Sequence, residues 1–182
     1  MYKTVVFDLD GTLLNTLTDL ADAGNRLCRK YGWPTHERQA YRYFVGNGIP
    51  KLVERLAPAD QRTPAVLEAA LADFKRDYGQ HLRDTTAPYP GIPEMLAKLK
   101  ANGVQLAVFS NKADALAKEV VKDYFGTQYF TIVRGQMTGV APKPAAEGTN
   151  ALLQALHADP ASTLYVGDSN VDVETAHNAN LP

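Results

Sequence analysis

The chain has 182 residues, of which 45% are hydrophobic, so it can bury one good core and a small additional domain. Its 19 lysines and arginines against 20 aspartates and glutamates give a net charge of -1, which excludes a global attraction to nucleic acid or to an anionic membrane. A single cysteine, Cys28, excludes an intramolecular disulfide. The sequence MYKTVVFDLD has no signal-peptide pattern, and no apolar run approaches the ~20 residues that cross a bilayer, so we expect a cytoplasmic protein.

The first predicted element is a buried parallel strand from Lys3 to Phe7, a short β-branched run that ends in two aspartates. Asp8 and Asp10 are separated only by Leu9. Two carboxylates this close repel each other unless a cation lies between them or they share a proton. A solvated turn is the alternative interpretation of this stretch.

The next segment is purely helical. Three amphipathic patterns occupy residues 16–33, 50–57 and 64–82, with no strand among them. We therefore predict an all-helical cap domain at residues 15–85, inserted into a core made of residues 1–14 and 86–182. Its exits are short, and prolines stiffen the second one, so the two connections can act as a hinge.

Three further strands are predicted in the stretches VQLAVFSNK, FTIVRG and TLYVGDS, each followed by a polar or glycine-bearing turn, and helices separate them. Ser110 and Asn111 are expected to follow the first of these strands, and Asp168 and Asp172 the last. This alternation predicts an α/β fold with a parallel, doubly wound sheet, in which ligands bind beyond the carboxyl ends of the strands. Side chains able to bind or react with a ligand collect at that edge: Asp8, Asp10, Ser110, Asn111, Lys143, Asp168 and Asp172.

Four stretches in this order, DLDGTL, FSNK, APKP and VGDSNVD, resemble the motifs of the haloacid dehalogenase superfamily of aspartate-nucleophile phosphatases. The stretches VGNGIPKLVERL and PYPGIPEMLAKLKANGVQLAVFSNK resemble its phosphoglycolate phosphatase group. The resemblance implies a Rossmann-like core with a mobile helical cap. Relatives continue through another strand where this chain ends in NANLP, so we expect the last edge strand of the sheet to be missing.

The resemblance also implies a mechanism: Mg²⁺ would bridge Asp8, a phosphate oxygen and Asp168, while Asp8 attacks the phosphorus and becomes an aspartyl-phosphate. The main-chain carbonyl of Asp10 would be a further metal ligand, and its side chain would protonate the leaving oxygen. The phosphoryl oxygens would be held by Ser110, the backbone N–H of Asn111, and Lys143.

Supporting roles are expected for five more residues. Gly11 allows a sharp turn near the phosphate, Thr12 adds a hydroxyl, and Asp172 orients Lys143 or a metal-bound water. In the cap, Asn47 and Lys51 are candidates to bind a second anionic group of the substrate, beside a turn that opens the helix around Lys51.

We therefore expect a hydrolase for a small phosphorylated metabolite, with 2-phosphoglycolate as the expected substrate, acting as a monomer or homodimer. The alternatives are the same chemistry on a sugar phosphate, a nucleotide or pyrophosphate, a mutase, a response-regulator receiver, or a non-catalytic scaffold with the same fold. Simple structural roles also remain open: a helix N-cap for Ser110 and Asn111, a helix cap for Asp168, a first-turn acid for Asp172 and a surface position for Lys143.

Overall fold

The computed structural model describes residues 1–182, which form two compact units: Met1–Leu14 with Pro88–Pro182, and Asn15–Ala87. We call the first the sheet unit and the second the helical unit. The strands are β1 (Thr4–Phe7), β2 (Leu14–Asn15), β3 (Ala87–Pro88), β4 (Gln105–Ala113), β5 (Phe130–Gln136) and β6 (Thr163–Val166). The helices are α1 (Leu17–Tyr31), α2 (Tyr41–Phe44), α3 (Ile49–Leu56), α4 (Pro64–His81), α5 (Ile92–Ala101), α6 (Asp114–Phe125), α7 (Ala146–Leu156) and α8 (Asn170–Asn178).

The sheet unit is built on a parallel four-stranded sheet in the order β5-β4-β1-β6. In the central strand β1, Phe7 lies opposite Val108 of β4 and opposite Val166 of β6. This register places the carboxyl ends of β1 and β6 at the same level, which brings the residues that follow them together. The predicted α/β class with a parallel sheet is confirmed.

Helices cover the sheet, so its strands are apolar on both sides. All four residues of β1 are buried, and so are Leu106 to Phe109 of β4. One core cluster joins the sheet to α7 and to the residues that follow α8 through Val6, Phe109, Leu152, Leu156, Tyr165 and Leu181. β6 forms one edge of the sheet and pairs only with β1.

The helical unit contains α1, α2, α3 and α4. The buried residues Leu20, Ala23 and Leu27 recur at helical spacing along α1 and form its apolar face. Cys28 lies on the same helix and is fully buried, and burial raises the pKa of its thiol to about 11. Thr63 caps the first turn of α4 by accepting a hydrogen bond from the backbone N–H of Val66. No helix of the protein has the length and apolar character needed to span a bilayer.

A buried carboxylate fastens the end of the helical unit to its beginning. Asp19, in the first turn of α1, is 2% exposed. It accepts the backbone N–H groups of Thr85 and Thr86, both at 2.9 Å, and their hydroxyls at 2.5 and 2.7 Å. These four donors satisfy both carboxylate oxygens and fix the segment at which the chain leaves the unit.

Candidate active site

The candidate site lies at the carboxyl ends of the strands of the sheet unit. Asp8 directly follows β1, Asp168 comes two residues after β6, and Lys143 lies in the loop between β5 and α7. Asp172 belongs to the first turn of α8. The structure brings these four side chains together.

Lys143 is the centre of this group. Its Nζ donates to Asp8 Oδ1 and to Asp172 Oδ1, both at 2.8 Å, and its side chain is 2% exposed. Tyr165 Oη at 3.1 Å and the Phe109 carbonyl at 3.2 Å complete the surroundings of the ammonium. Burial would lower the pKa of Lys143, but Asp8 and Asp172 raise it above its usual value, so the side chain stays charged. The interpretation of Lys143 as an exposed surface lysine is therefore wrong.

Asp8 is buried and has a carboxyl group that is harder to ionise than usual. Burial raises its pKa to about 6, while Lys143 acts in the opposite direction. The charge of Asp172 also contributes to this rise. A cation bound beside Asp8 would favour the ionised form, which is the form able to attack an electrophile.

Asp172 caps a helix with one carboxylate oxygen and binds the Lys143 ammonium with the other. Its Oδ2 accepts from the backbone N–H of Ser169 at 3.1 Å and from the Ser169 hydroxyl at 2.7 Å, which completes a capping box for α8. Its Oδ1 accepts from Lys143. Burial would raise the pKa of Asp172, but the Lys143 ammonium and the bonds from Ser169 lower it.

Asp168 is the exposed member of the group. Thr12 Oγ1 donates to its Oδ1 at 3.0 Å, and partial desolvation by the surrounding protein raises its pKa. Gly11 lies against the same carboxyl group: a Cβ at this position would overlap Asp168, and its φ of +94° is one that glycine adopts easily. The cap of α8 is Ser169, so the interpretation of Asp168 as a helix cap is wrong.

The group has a donor set suited to a divalent cation. Asp8, Asp168 and Asp172 each offer a carboxylate oxygen, and these atoms lie within 4.8 Å of one another. Hard oxygen donors are the ligands that Mg²⁺ and Ca²⁺ prefer. The side chain of Asp10 does not belong to this set.

Asp10 pairs instead with Lys112, a residue that the sequence analysis missed. Lys112 Nζ lies 3.2 and 3.4 Å from the two carboxylate oxygens of Asp10, and Lys112 is 5% exposed. The available signal was weak: the lysine comes two residues after Ser110 in FSNK, where the sequence predicted that a strand ends. In the structure β4 continues to Ala113, so Lys112 lies within the strand and its side chain is buried.

Ser110 and Asn111 lie within β4, so the expectation that they follow the strand is wrong. The cause is continued pairing of β4 with β5, since Ala113 lies opposite Gln136 after an irregularity in the ladder. Neither residue caps the next helix, because the N-cap of α6 is Ala113. The Asn111 side chain clamps the main chain of Lys143: it accepts the Lys143 N–H at 2.9 Å and donates to the Lys143 carbonyl at 3.2 Å.

Asn47 and Lys51 belong to the helical unit, where each has a partner. Arg55 donates to Asn47 Oδ1 at 2.9 Å and to the Phe44 carbonyl at 2.8 Å, so it fixes the turn before α3. Lys51 Nζ lies 2.8 Å from Glu54. The helix around Lys51 begins at Ile49 after Gly48, as the predicted turn requires.

A lysine between two carboxylates and beside a third one, at the carboxyl edge of a parallel α/β sheet, forms a site suited to a divalent cation and an anionic ligand. Residues 5–182 match the haloacid dehalogenase-like hydrolase family, and the chain belongs to it.

The chain is also similar in sequence to named relatives and in fold to solved structures. The chain is 32% identical over 183 residues to a phosphoglycolate phosphatase of Thiobacillus denitrificans, covering 99% of this chain and 81% of the relative. It is 33% identical to a phosphoglycolate phosphatase of Neisseria meningitidis, covering 97% and 77%. A crystal structure of a Lactobacillus delbrueckii protein has a TM-score of 0.92 at 28% identity, covering 99% of this chain and 84% of that one. A haloacid dehalogenase-like family hydrolase from Streptococcus pneumoniae has the same fold, with a TM-score of 0.86 at 20% identity, covering 99% and 82%.

Proposed function

We propose that this protein is a Mg²⁺-dependent phosphatase that hydrolyses 2-phosphoglycolate through an aspartyl-phosphate on Asp8. The observation that carries the proposal is the buried Lys143 ammonium, 2.8 Å from Asp8, beside a set of carboxylates suited to a divalent ion. The substrate is inferred from relatives named phosphoglycolate phosphatase that match nearly the whole chain. Asp8 follows the first strand and a helical unit interrupts the sheet unit, which disfavours a response-regulator receiver.

The chemistry consists of two displacements at phosphorus. In the first, a carboxylate oxygen of Asp8 forms a bond to phosphorus, the ester P–O bond breaks, and Asp10 gives its proton to the leaving alkoxide. In the second, water attacks the aspartyl-phosphate, Asp10 takes the proton from the water, and the Asp8–phosphorus bond breaks to release inorganic phosphate.

Positive charge makes the approach of Asp8 to a phosphate dianion feasible. Mg²⁺ held by Asp8, Asp168 and the Asp10 carbonyl would neutralise charge on the substrate. Lys143, Ser110 and the backbone N–H of Asn111 would bind the phosphoryl oxygens, on which negative charge gathers in the transition state. Asn47 and Lys51 stay predictions for the helical unit.

Phosphate release tests the proposal directly. The panel contains 2-phosphoglycolate, a sugar phosphate, a nucleotide and pyrophosphate, each with Mg²⁺ and with a chelator. We expect the highest kcat/KM for 2-phosphoglycolate, loss of activity with the chelator, and a fall in kcat on the order of 10³-fold or more in Asp8→Asn.

Asp60→Asn, which changes an exposed carboxylate of the helical unit, is the matched control and should keep its activity. A better substrate elsewhere in the panel would change the substrate and keep the chemistry. No phosphate release from any ester in the presence of Mg²⁺ would overturn the proposed function and favour the non-catalytic scaffold.

A further inference from the structure

The site contains two buried lysines, and the mechanism above uses only one. Lys143 has its ammonium between Asp8 and Asp172, where the proposed mechanism has it bind a phosphoryl oxygen. Lys112 has a side chain that is 3% exposed, and its ammonium faces Asp10. A buried ammonium needs anionic partners, and its three N–H groups can serve more than one carboxylate.

The role proposed for Asp10 indicates where the Lys112 ammonium lies relative to a bound substrate. A general acid has to come within about 2.6–3.2 Å of the oxygen that it protonates, which here is the ester oxygen of the leaving group. Lys112 Nζ lies 3.2 and 3.4 Å from the Asp10 oxygens. In the proposed mechanism the Lys112 ammonium therefore lies near the leaving-group oxygen, whereas Lys143 lies beside the nucleophile Asp8.

The proposed substrate places an anion in that region. In 2-phosphoglycolate a single CH₂ group separates the ester oxygen from a carboxylate. A carboxylate so close to the ester oxygen comes within reach of a cation that contacts Asp10. Esters with a neutral leaving group offer no such partner.

We propose that Lys112 binds the carboxylate of the leaving group and thereby selects phosphate esters of 2-hydroxy acids. The inference rests on the proposed function, and it adds the residue of the sheet unit that determines specificity. Lys112 donates to Asp10 and to the substrate carboxylate at once, so recognition of the leaving group takes place beside the acid that protonates it.

Two substrates isolate this contact: 2-phosphoglycolate, and 2-hydroxyethyl phosphate, which has CH₂OH in place of the carboxylate. We expect Lys112→Gln to lower kcat/KM for 2-phosphoglycolate by about 10- to 100-fold more than for 2-hydroxyethyl phosphate, with most of the difference in KM. Lys112→Arg keeps the charge and should retain most of the preference. Lys122→Met removes an exposed lysine of α6 and is the matched control, with an unchanged ratio.

Lys112→Met keeps the length of the buried stem, and it replaces the glutamine variant if that variant does not fold. An equal loss on both substrates would mean that Lys112 only holds Asp10, and would overturn the inference. Collapse of the ratio in Lys51→Ala instead of the Lys112 variants would assign the carboxylate to the helical unit, with the same consequence.

The wild-type enzyme separates the two proposals. Phosphate release from 2-hydroxyethyl phosphate at the same kcat/KM as from 2-phosphoglycolate would leave a phosphatase and refute selection by Lys112. No release from either ester would refute the proposed function itself.

Discussion

Replacing Asp19 by asparagine tests how much the hydrogen bonds from Thr85 and Thr86 to this carboxylate stabilise the protein. Each oxygen of the carboxylate accepts mainly from the backbone N–H and the hydroxyl of one threonine, Thr85 for Oδ1 and Thr86 for Oδ2, and the Thr85 N–H also reaches Oδ2 at 3.2 Å. In either orientation of the asparagine amide, its NH₂ group faces one of these pairs. The threonine hydroxyl of that pair can rotate and accept from the NH₂ group, but the backbone N–H loses its main acceptor. That poorly satisfied buried donor, together with the weaker bonds to a neutral acceptor, costs about 3 kcal/mol.

Thermal unfolding measures this cost. For a chain of this length 1 kcal/mol shifts Tm by about 2–4 °C, so we expect Asp19→Asn to lower the Tm of the protein by about 6–12 °C in calorimetry. Asp22→Asn alters an exposed carboxylate of the same helix and should stay within about 2 °C of wild type. A Tm for Asp19→Asn no lower than that of the Asp22 control would refute the reasoning.

Three further predictions concern other parts of the molecule. Asn111→Ala removes the two hydrogen bonds that hold the main chain of Lys143. It should lower kcat by about 100-fold with little change in KM, because a displaced ammonium costs most in the transition state. Equal changes in kcat and KM would contradict this. Gly11→Ala combines a positive φ with overlap on a neighbouring carboxyl group, so it should raise the Mg²⁺ concentration for half-maximal activity and lower Tm. Gly103→Ala is its control: Gly103 also has a positive φ, of 75°, but a Cβ there would meet no other atom. This variant therefore has the backbone strain without the overlap, and it should lower Tm without changing the Mg²⁺ dependence. Cys28, whose pKa burial raises to about 11, should react with a thiol reagent only as fast as the protein unfolds, and prompt labelling of the native protein would disprove this.

The sequence predicted the fold and gathered the candidate site because both depend on the order of strands along the chain. Parallel strands end at one edge, so Asp8 and Asp168 come together wherever the strands lie side by side. The predicted strand near Ser110 ended too early, because the sequence showed the apolar run but not the extra pairing with β5 that extends β4 to Ala113.

Contacts between side chains could not be predicted in this way. The sequence offered Lys143 as a phosphate-binding lysine, but its distances to Asp172 and Tyr165 depend on side-chain packing that no motif encodes. Lys112 was missed for the same reason: a lysine after a predicted strand end is usually exposed. The Asp19 hydrogen bonds join residues 66 and 67 positions apart, too far for local patterns to reveal.

The capping box of α8 has a consequence for substitution and engineering at the site. One carboxylate, that of Asp172, both begins the helix through Ser169 and holds the Lys143 ammonium. Glutamate would keep the charge but extend it by one methylene, and asparagine would keep the length but lose the charge. The start of the helix and the position of the Lys143 ammonium therefore depend on the same carboxylate, so a substitution of Asp172 changes both at once.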